Sequence, residues 1–256
     1  MKENRFWIGL SLVALGLLGV LGVFITAGQG VETAGSGMEQ GRVTVVIDPG
    51  HGGEDGGAVA PDGTEEADIN LEVARRLNVI LQFMGEKTLL LRDSDISLHD
   101  PSANTIREKK VSDIHHRVDT VNAQENAVLI SIHQNMFSSS KYRGAQVFYG
   151  GNPLAQPWAE LTRKNLQTCI DPDNQRQVKP IDRNVYLMNH ISCPALLMEC
   201  GFLSNPEERW LLKEPGYQTA LAVVVAASYR QSTPEKGETP HVSQSEESIL
   251  LHPVRQ

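Results

Sequence analysis

Val43-Thr44-Val45-Val46-Ile47 is five β-branched residues in a row. Branching at Cβ stiffens χ1 and suits a pleated strand, and the lack of polar alternation marks a strand covered on both faces. Such a strand needs helices above and below it. The next stretch supplies one: Ile69, Leu71, Val73, Ala74, Leu77, Ile80, Leu81 and Met84 recur at helical spacing up to a stop at Gly85. Strands are expected at Thr88–Leu91, Ala127–His133, Ala145–Tyr149, Val185–Met188 and Ala195–Cys200, with helices around Val118 and Val121, from about Leu154 to Cys169, and near Tyr217–Tyr229. A long polar loop from Asp93 to Ser112 interrupts them. The alternation predicts an α/β class: a single domain, a six-stranded, mostly parallel (mixed) sheet, and helices on both faces. In such sheets ligands collect where strand C-termini meet loops.

The ends read differently. Trp7 to Ala27 is 21 residues without a charge, about 31 Å as a helix and so a match for the roughly 30 Å hydrocarbon layer. Lys2 and Arg5 precede it, which leaves the N-terminus cytoplasmic and sends the rest across the membrane. A cleaved signal peptide is the rival reading, but the site Ile25-Thr26-Ala27 has Ile at its outer position. Residues 28–40 suit a flexible linker, 232–256 a disordered tail, and 41–231 one folded domain. A net charge of −8 with 40% hydrophobic residues excludes a disordered polyelectrolyte and argues against nucleic acid as partner.

Three of the expected strands end in polar groups: Asp48-Pro49-Gly50-His51-Gly52-Gly53, Ser131-Ile132-His133-Gln134-Asn135, and Glu199 within Leu196-Leu197-Met198-Glu199-Cys200. A carboxylate in so apolar a strand needs a partner. Two histidines at strand ends, with Glu65 or Glu66 at the start of the first helix, supply enough donors for a metal such as zinc. Spacing alone does not identify the site, since His51 and His133 are 82 residues apart and no His-Glu-x-x-His is present. A phosphate cradle at the Gly-rich turn lacks both Gly-x-Gly-x-x-Gly and the Walker lysine. His115-His116, His99 and His190 read as solvated surface. Cys169, Cys193 and Cys200 match no zinc clip, and a Cys193–Cys200 disulfide is an open alternative.

Together the three blocks resemble the zinc-dependent N-acetylmuramoyl-L-alanine amidases, the type-3 amidase family. Val46 to Gly53 with Asp55, Gly56, Gly57 and Ala58 resembles the family's opening, Ser131 to Asn135 its Ser-Ile-His-x-Asn block, and Glu199-Cys200-Gly201-Phe202-Leu203-Ser204-Asn205 its Glu-x-Gly-Phe-Leu-Ser-Asn block. The resemblance implies Zn2+ as cofactor, His51, Glu66 and His133 as its ligands, and Glu199 as the catalytic carboxylate. Glu66 is chosen over Glu65 because the family's ligand stands five residues before the Leu of a pattern like Asn70-Leu71-Glu72-Val73-Ala74. Arg92, Arg117 and Asn122 fall where the family carries similar residues; substrate contact, surface salt bridges and loop anchoring all remain open for them. The implied substrate is peptidoglycan, cleaved between muramic acid and L-alanine. An anchor with one bare catalytic domain is similar to the family's spore-cortex branch, which takes part in making muramic-δ-lactam, and such a domain is expected to need an activating partner protein. A zinc peptidase and an inactive peptidoglycan-binding domain are the rival readings.

Overall fold

The computed structural model describes residues 42–233. The expected membrane segment, the linker and nearly all of the tail lie outside the described residues; among the described ones no helix is long and apolar enough to cross a membrane. The elements are β1 (Thr44–Pro49), α1 (Glu66–Phe83), β2 (Lys87–Leu90), α2 (Ile106–Asn122), β3 (Ala127–Asn135), β4 (Gln146–Tyr149), α3 (Ala155–Cys169), β5 (Lys179–Pro180), α4 (Tyr186–Asn189), β6 (Ala195–Phe202), α5 (Pro206–Lys213) and α6 (Pro215–Ser232). The six strands form one sheet in the order β2-β1-β3-β6-β4-β5. All neighbours pair parallel except β4 with β6, so the sheet is the mixed one expected.

Alternation along each strand divides the core between the two faces. Val45, Ile47, Ile130, Ile132, Leu196 and Met198 pack beneath α1, α3 and α6. Val46, Leu129 and Leu197 pack against Val118 and Val121 of α2 and Leu187 and Met188 of α4. The same period carries Asp48, Ser131, His133 and Glu199 onto the second face. There Asp48 stands opposite Ser131, and His133 opposite Glu199.

Two expectations are corrected. Val185–Met188 is not a strand: Tyr186–Asn189 is a one-turn helix, and the sixth strand is Lys179–Pro180 beside Phe148 and Tyr149. Asn189 Nδ2 donates to the carbonyls of Asp182 and Val185, which coils the segment back on itself. A four-residue apolar run cannot separate a buried strand from a helical turn. The polar loop ends at Thr105 rather than Ser112, because Thr105 and Glu108 form a reciprocal capping box that starts α2. Helix α5 is an addition, capped by the Asn205 side chain and opened by Pro206.

Candidate active site

The turn after β1 is built by close approach. A Cβ on Gly50 would stand 2.2 Å from Cε1 of His133, so only glycine leaves room for that ring. His51 itself has φ 62°, the left-handed region, followed by Gly52 and Gly53 with positive φ. A non-glycine residue held there must be fixed by its surroundings.

Two arginines do the fixing. Arg92 donates from Nε to the carbonyl of Pro49 at 3.0 Å and from Nη2 to those of Gly50 at 3.1 Å and Ala67 at 2.8 Å. Arg117 donates to the carbonyls of Pro49 at 2.9 Å and His51 at 2.8 Å, and to the carboxylates of Asp48 and Asp113. Asp48 also accepts from Ser131 Oγ at 2.7 Å. Both arginines are 2% exposed, so they anchor the loop from inside and are neither surface salt bridges nor substrate contacts. Burial works against ionised Asp48, but Arg117 and the charge of His133 outweigh it and hold its carboxyl below the usual range. Asn122 Nδ2 anchors the carbonyl of His190 at 2.9 Å.

The turn brings His51 to the first helix. Glu66, in the first turn of α1, points one oxygen at His51 Nε2 (3.4 Å) and the other at His133 Nδ1 (2.9 Å). Backbone N–H groups of Ala58 and Gln134 donate to the same two oxygens, at 2.9 and 3.0 Å. Burial pushes the Glu66 carboxyl up, but His133 and His51 prevail and keep it ionised well below the ordinary range. On the far side of the His51 ring, Nδ1 meets Asp55 Oδ2 at 2.9 Å. Burial alone would lower the His51 pKa, yet Asp55 and Glu66 raise it to about 9. Glu65 instead lies against Gly56.

His51, Glu66 and His133 each offer one donor atom, and the three atoms lie within 4.8 Å of one another. Two imidazoles and a carboxylate on a strongly polarised scaffold form a donor set that fits a divalent metal such as zinc. Glu199 faces this group from β6. Its Oε2 is buried without a hydrogen-bond partner, and burial, reinforced by Glu66, pushes its pKa up to about 7 against the opposing His133 and His51. A half-buried carboxylate with one oxygen buried and unpartnered, beside a three-donor cluster, is where proton transfer is to be sought.

The remaining candidates separate from this site. His115 and His116 are exposed on α2, and His115 stacks on Tyr186 at 5.0 Å. Trp158 packs against Tyr229 in the core. The three cysteines are free thiols, and burial raises Cys193 to about 11 and Cys200 to about 12, so neither is an ionised nucleophile near neutrality.

With this geometry in place, comparison with known proteins decides the family. The profile of the N-acetylmuramoyl-L-alanine amidases matches residues 45–230, nearly the whole of the described fold. The chain belongs to this amidase family. The amidase is 37% identical over 201 residues to the germination-specific N-acetylmuramoyl-L-alanine amidase of Bacillus subtilis, a match covering 77% of this chain and 82% of the relative. Among solved structures it is similar to the CwlD amidase of Clostridioides difficile in complex with the GerS lipoprotein, with TM-score 0.72, 34% identity, and 75% and 98% of the two chains covered. Amidase AmiC2 of Nostoc punctiforme aligns with TM-score 0.63 at 27% identity, over 75% and 97% of the chains. The amidase is therefore a hydrolase, and peptidoglycan is the substrate its family implies.

Proposed function

We propose that the amidase hydrolyses the bond between N-acetylmuramic acid and the stem's L-alanine with zinc held by His51, Glu66 and His133, and with Glu199 as the proton-transfer group. The observation that carries this is the clustering of three ligand-type atoms on the face where Glu199 stands opposite His133 with one carboxylate oxygen buried and unpartnered. Zinc bound there would supply a Lewis acid toward the scissile carbonyl and toward water. Asp55 accepts from His51 Nδ1–H and so leaves Nε2, its lone pair on the side facing Glu66, as the metal-ligating atom. Glu199, ionised, accepts the proton of the attacking water and delivers it to the departing alanine nitrogen.

Two expected outcomes follow from the geometry. Gly50→Ala drives its methyl into the His133 ring, and competition titration against a chromogenic chelator should show zinc affinity reduced by about 10- to 100-fold; unchanged affinity contradicts the ligand assignment. The pH profile carries the second. Protonated Glu199 cannot accept a proton, so kcat/KM should fall as pH drops through its pKa, between about 4.3 for an ordinary glutamate and the value of about 7 that burial imposes, a bound cation moving it down within that window. A profile flat to pH 4 removes Glu199 from this role.

The biological setting proposed is spore cortex maturation leading to muramic-δ-lactam, supported by the likeness to the germination-specific relative. The uncharged Trp7–Ala27 segment supports a membrane anchor that places the domain outside the cytoplasm. An activating partner protein is part of the proposal, supported by the CwlD structure being a complex with a lipoprotein. Chelation followed by zinc reloading of the full chain on purified peptidoglycan tests the metal requirement. Activity that survives complete chelation overturns it.

A further inference from the structure

Past the ends of β3 and β6 the chain gathers aromatic rings at the surface. Phe137 and Tyr142 are 50% and 49% exposed, their ring centroids 5.0 Å apart, and both stack on buried Phe202, at 5.6 and 6.2 Å. The Arg176 guanidinium lies 4.4 Å from the Phe202 ring centroid, and its Nε is held by the carbonyl of Arg143 at 2.7 Å. Among the described residues neither Arg176 nor Lys141 forms an ion pair with a carboxylate. Lys109 and Lys110, beside His51, are by contrast taken by Glu54 and Asp55.

This shelf is continuous with the active site. Asn135 pairs with Phe202, the next pairing after His133 with Glu199 and separated from it by a bulge in β6, and the Phe137 N–H donates to Ser204 Oγ at 3.2 Å. The segments leaving β3 and β6 therefore run side by side. The interval between the two pairings is spanned by the two β3 residues from His133 to Asn135, so at about 3.3 Å per residue Phe202 lies roughly 7 Å beyond Glu199 along the sheet, the span of about two extended residues.

We infer that this shelf is the subsite for the peptide half of the substrate, an extended stem bearing carboxylates, with Arg176 as the residue that reads a carboxylate and Phe137 and Tyr142 as its apolar floor. The inference rests on the amidase reading above. A scissile amide at Glu199 has glycan on its acyl side and peptide on its amine side, and the second and third residues of an extended peptide reach the shelf. The cleft beside the rings carries Lys141, Arg143 and Arg176 against Asp171 and Asp173, and Asp171 is already engaged by Arg143 at 3.5 Å. Uncharged sugars would gain from the rings but leave the guanidinium fork without a partner, whereas an extended peptide lays its aliphatic stem on the rings and brings a carboxylate to the fork.

The test uses the full chain, zinc-loaded, as Glu199→Gln to prevent turnover, titrated calorimetrically with a synthetic stem peptide and separately with peptide-free glycan. The stem peptide should bind, and Arg176→Gln should weaken it about tenfold, the loss of one charge-assisted hydrogen bond, with Arg176→Lys intermediate and the protein still cooperatively folded, its melting temperature lowered by no more than a few degrees through the lost contacts to Phe202 and the Arg143 carbonyl. Amidating the stem carboxylates should weaken binding to the Arg176 protein and have no further effect in Arg176→Gln. In the active enzyme the same substitution should raise KM about tenfold with kcat moved less than twofold. Equal peptide affinity with and without Arg176, or glycan as the ligand whose affinity falls, overturns the shelf. If the chain binds stem peptide through Arg176 yet cleaves no muramoyl amide, the activity reading fails and the subsite stands; cleavage with KM unaltered in Arg176→Gln removes the subsite alone.

Discussion

Glu199→Gln is expected to lower kcat by about 10²–10⁴-fold, the usual contribution of a positioned acid–base group, while the protein still binds one equivalent of zinc. The amide keeps the size of the side chain and removes only its ability to accept a proton, so metal content by mass spectrometry and turnover on peptidoglycan should separate. Stability supplies an independent check. The folded-state carboxyl sits at about 7, raised chiefly by burial, so its ionisation opposes folding increasingly as pH climbs from the ordinary glutamate value and fully above about 7. Measured in chelator, Glu199→Gln should therefore melt a few degrees higher than the parent at pH 8 and show no such gain at pH 4. Retained activity, or a variant that loses zinc as His51→Ala should, contradicts the assignment.

Arg117→Met is expected to have the largest effect on the fold. It leaves Asp48, 1% exposed, without its guanidinium partner, and uncompensated buried charges of this kind cost about 3–5 kcal/mol. For a domain of this size that is a fall of roughly 6–20 °C in melting temperature. The Asp48 carboxyl is held below its usual range in the folded protein, so the stabilisation from the pair is present above the unfolded-state value near 3.9 and is lost as pH falls through the depressed one. The gap between parent and variant should accordingly be full at pH 7 and shrink in strong acid. The His51 carbonyl also loses its donor, and zinc affinity should fall with stability. A variant within 1 °C of the parent at pH 7 would falsify the view that Arg117 holds the turn that carries His51.

Legibility in the sequence followed how many faces of an element are buried. β1, β3 and β6 are covered on both sides, and Val43–Ile47, Ala127–His133 and Ala195–Cys200 announce them as mostly apolar runs that turn polar toward their ends. α4 is too short for its period to be read, and β5, only Lys179 and Pro180, carries no strand signal at all. The start of α2 was readable as Thr105-x-x-Glu108, a capping pattern obscured by the polar residues around it. The site divides in the same way. His51, His133 and Glu199 stand out because polar groups at the ends of apolar strands need an explanation, but their convergence comes from a register that pairs His133 with Glu199, and no local spacing encodes a pairing across 66 residues. Resemblance to a family supplied what spacing could not, including the choice of Glu66 over Glu65. The buried arginines were named, but nothing in the sequence around Arg92 or Arg117 separates a guanidinium that braces a backbone turn from one in solvent. Asp55 appears in the opening block without a role until its carboxylate is seen against His51 Nδ1. Phe137 and Tyr142 stand in a Ser-rich stretch that reads as loop.

Liquid chromatography with mass spectrometry of peptidoglycan digested by the zinc-loaded full chain, with candidate partner proteins supplied, tests the central claim most directly. Intact stem peptides beginning with a free L-alanine amine, together with glycan stripped of peptide, are the expected products. Shortened stems still attached to muramic acid would contradict the claim in favour of a peptidase, and peptidoglycan bound but released unchanged would contradict it in favour of a binding domain.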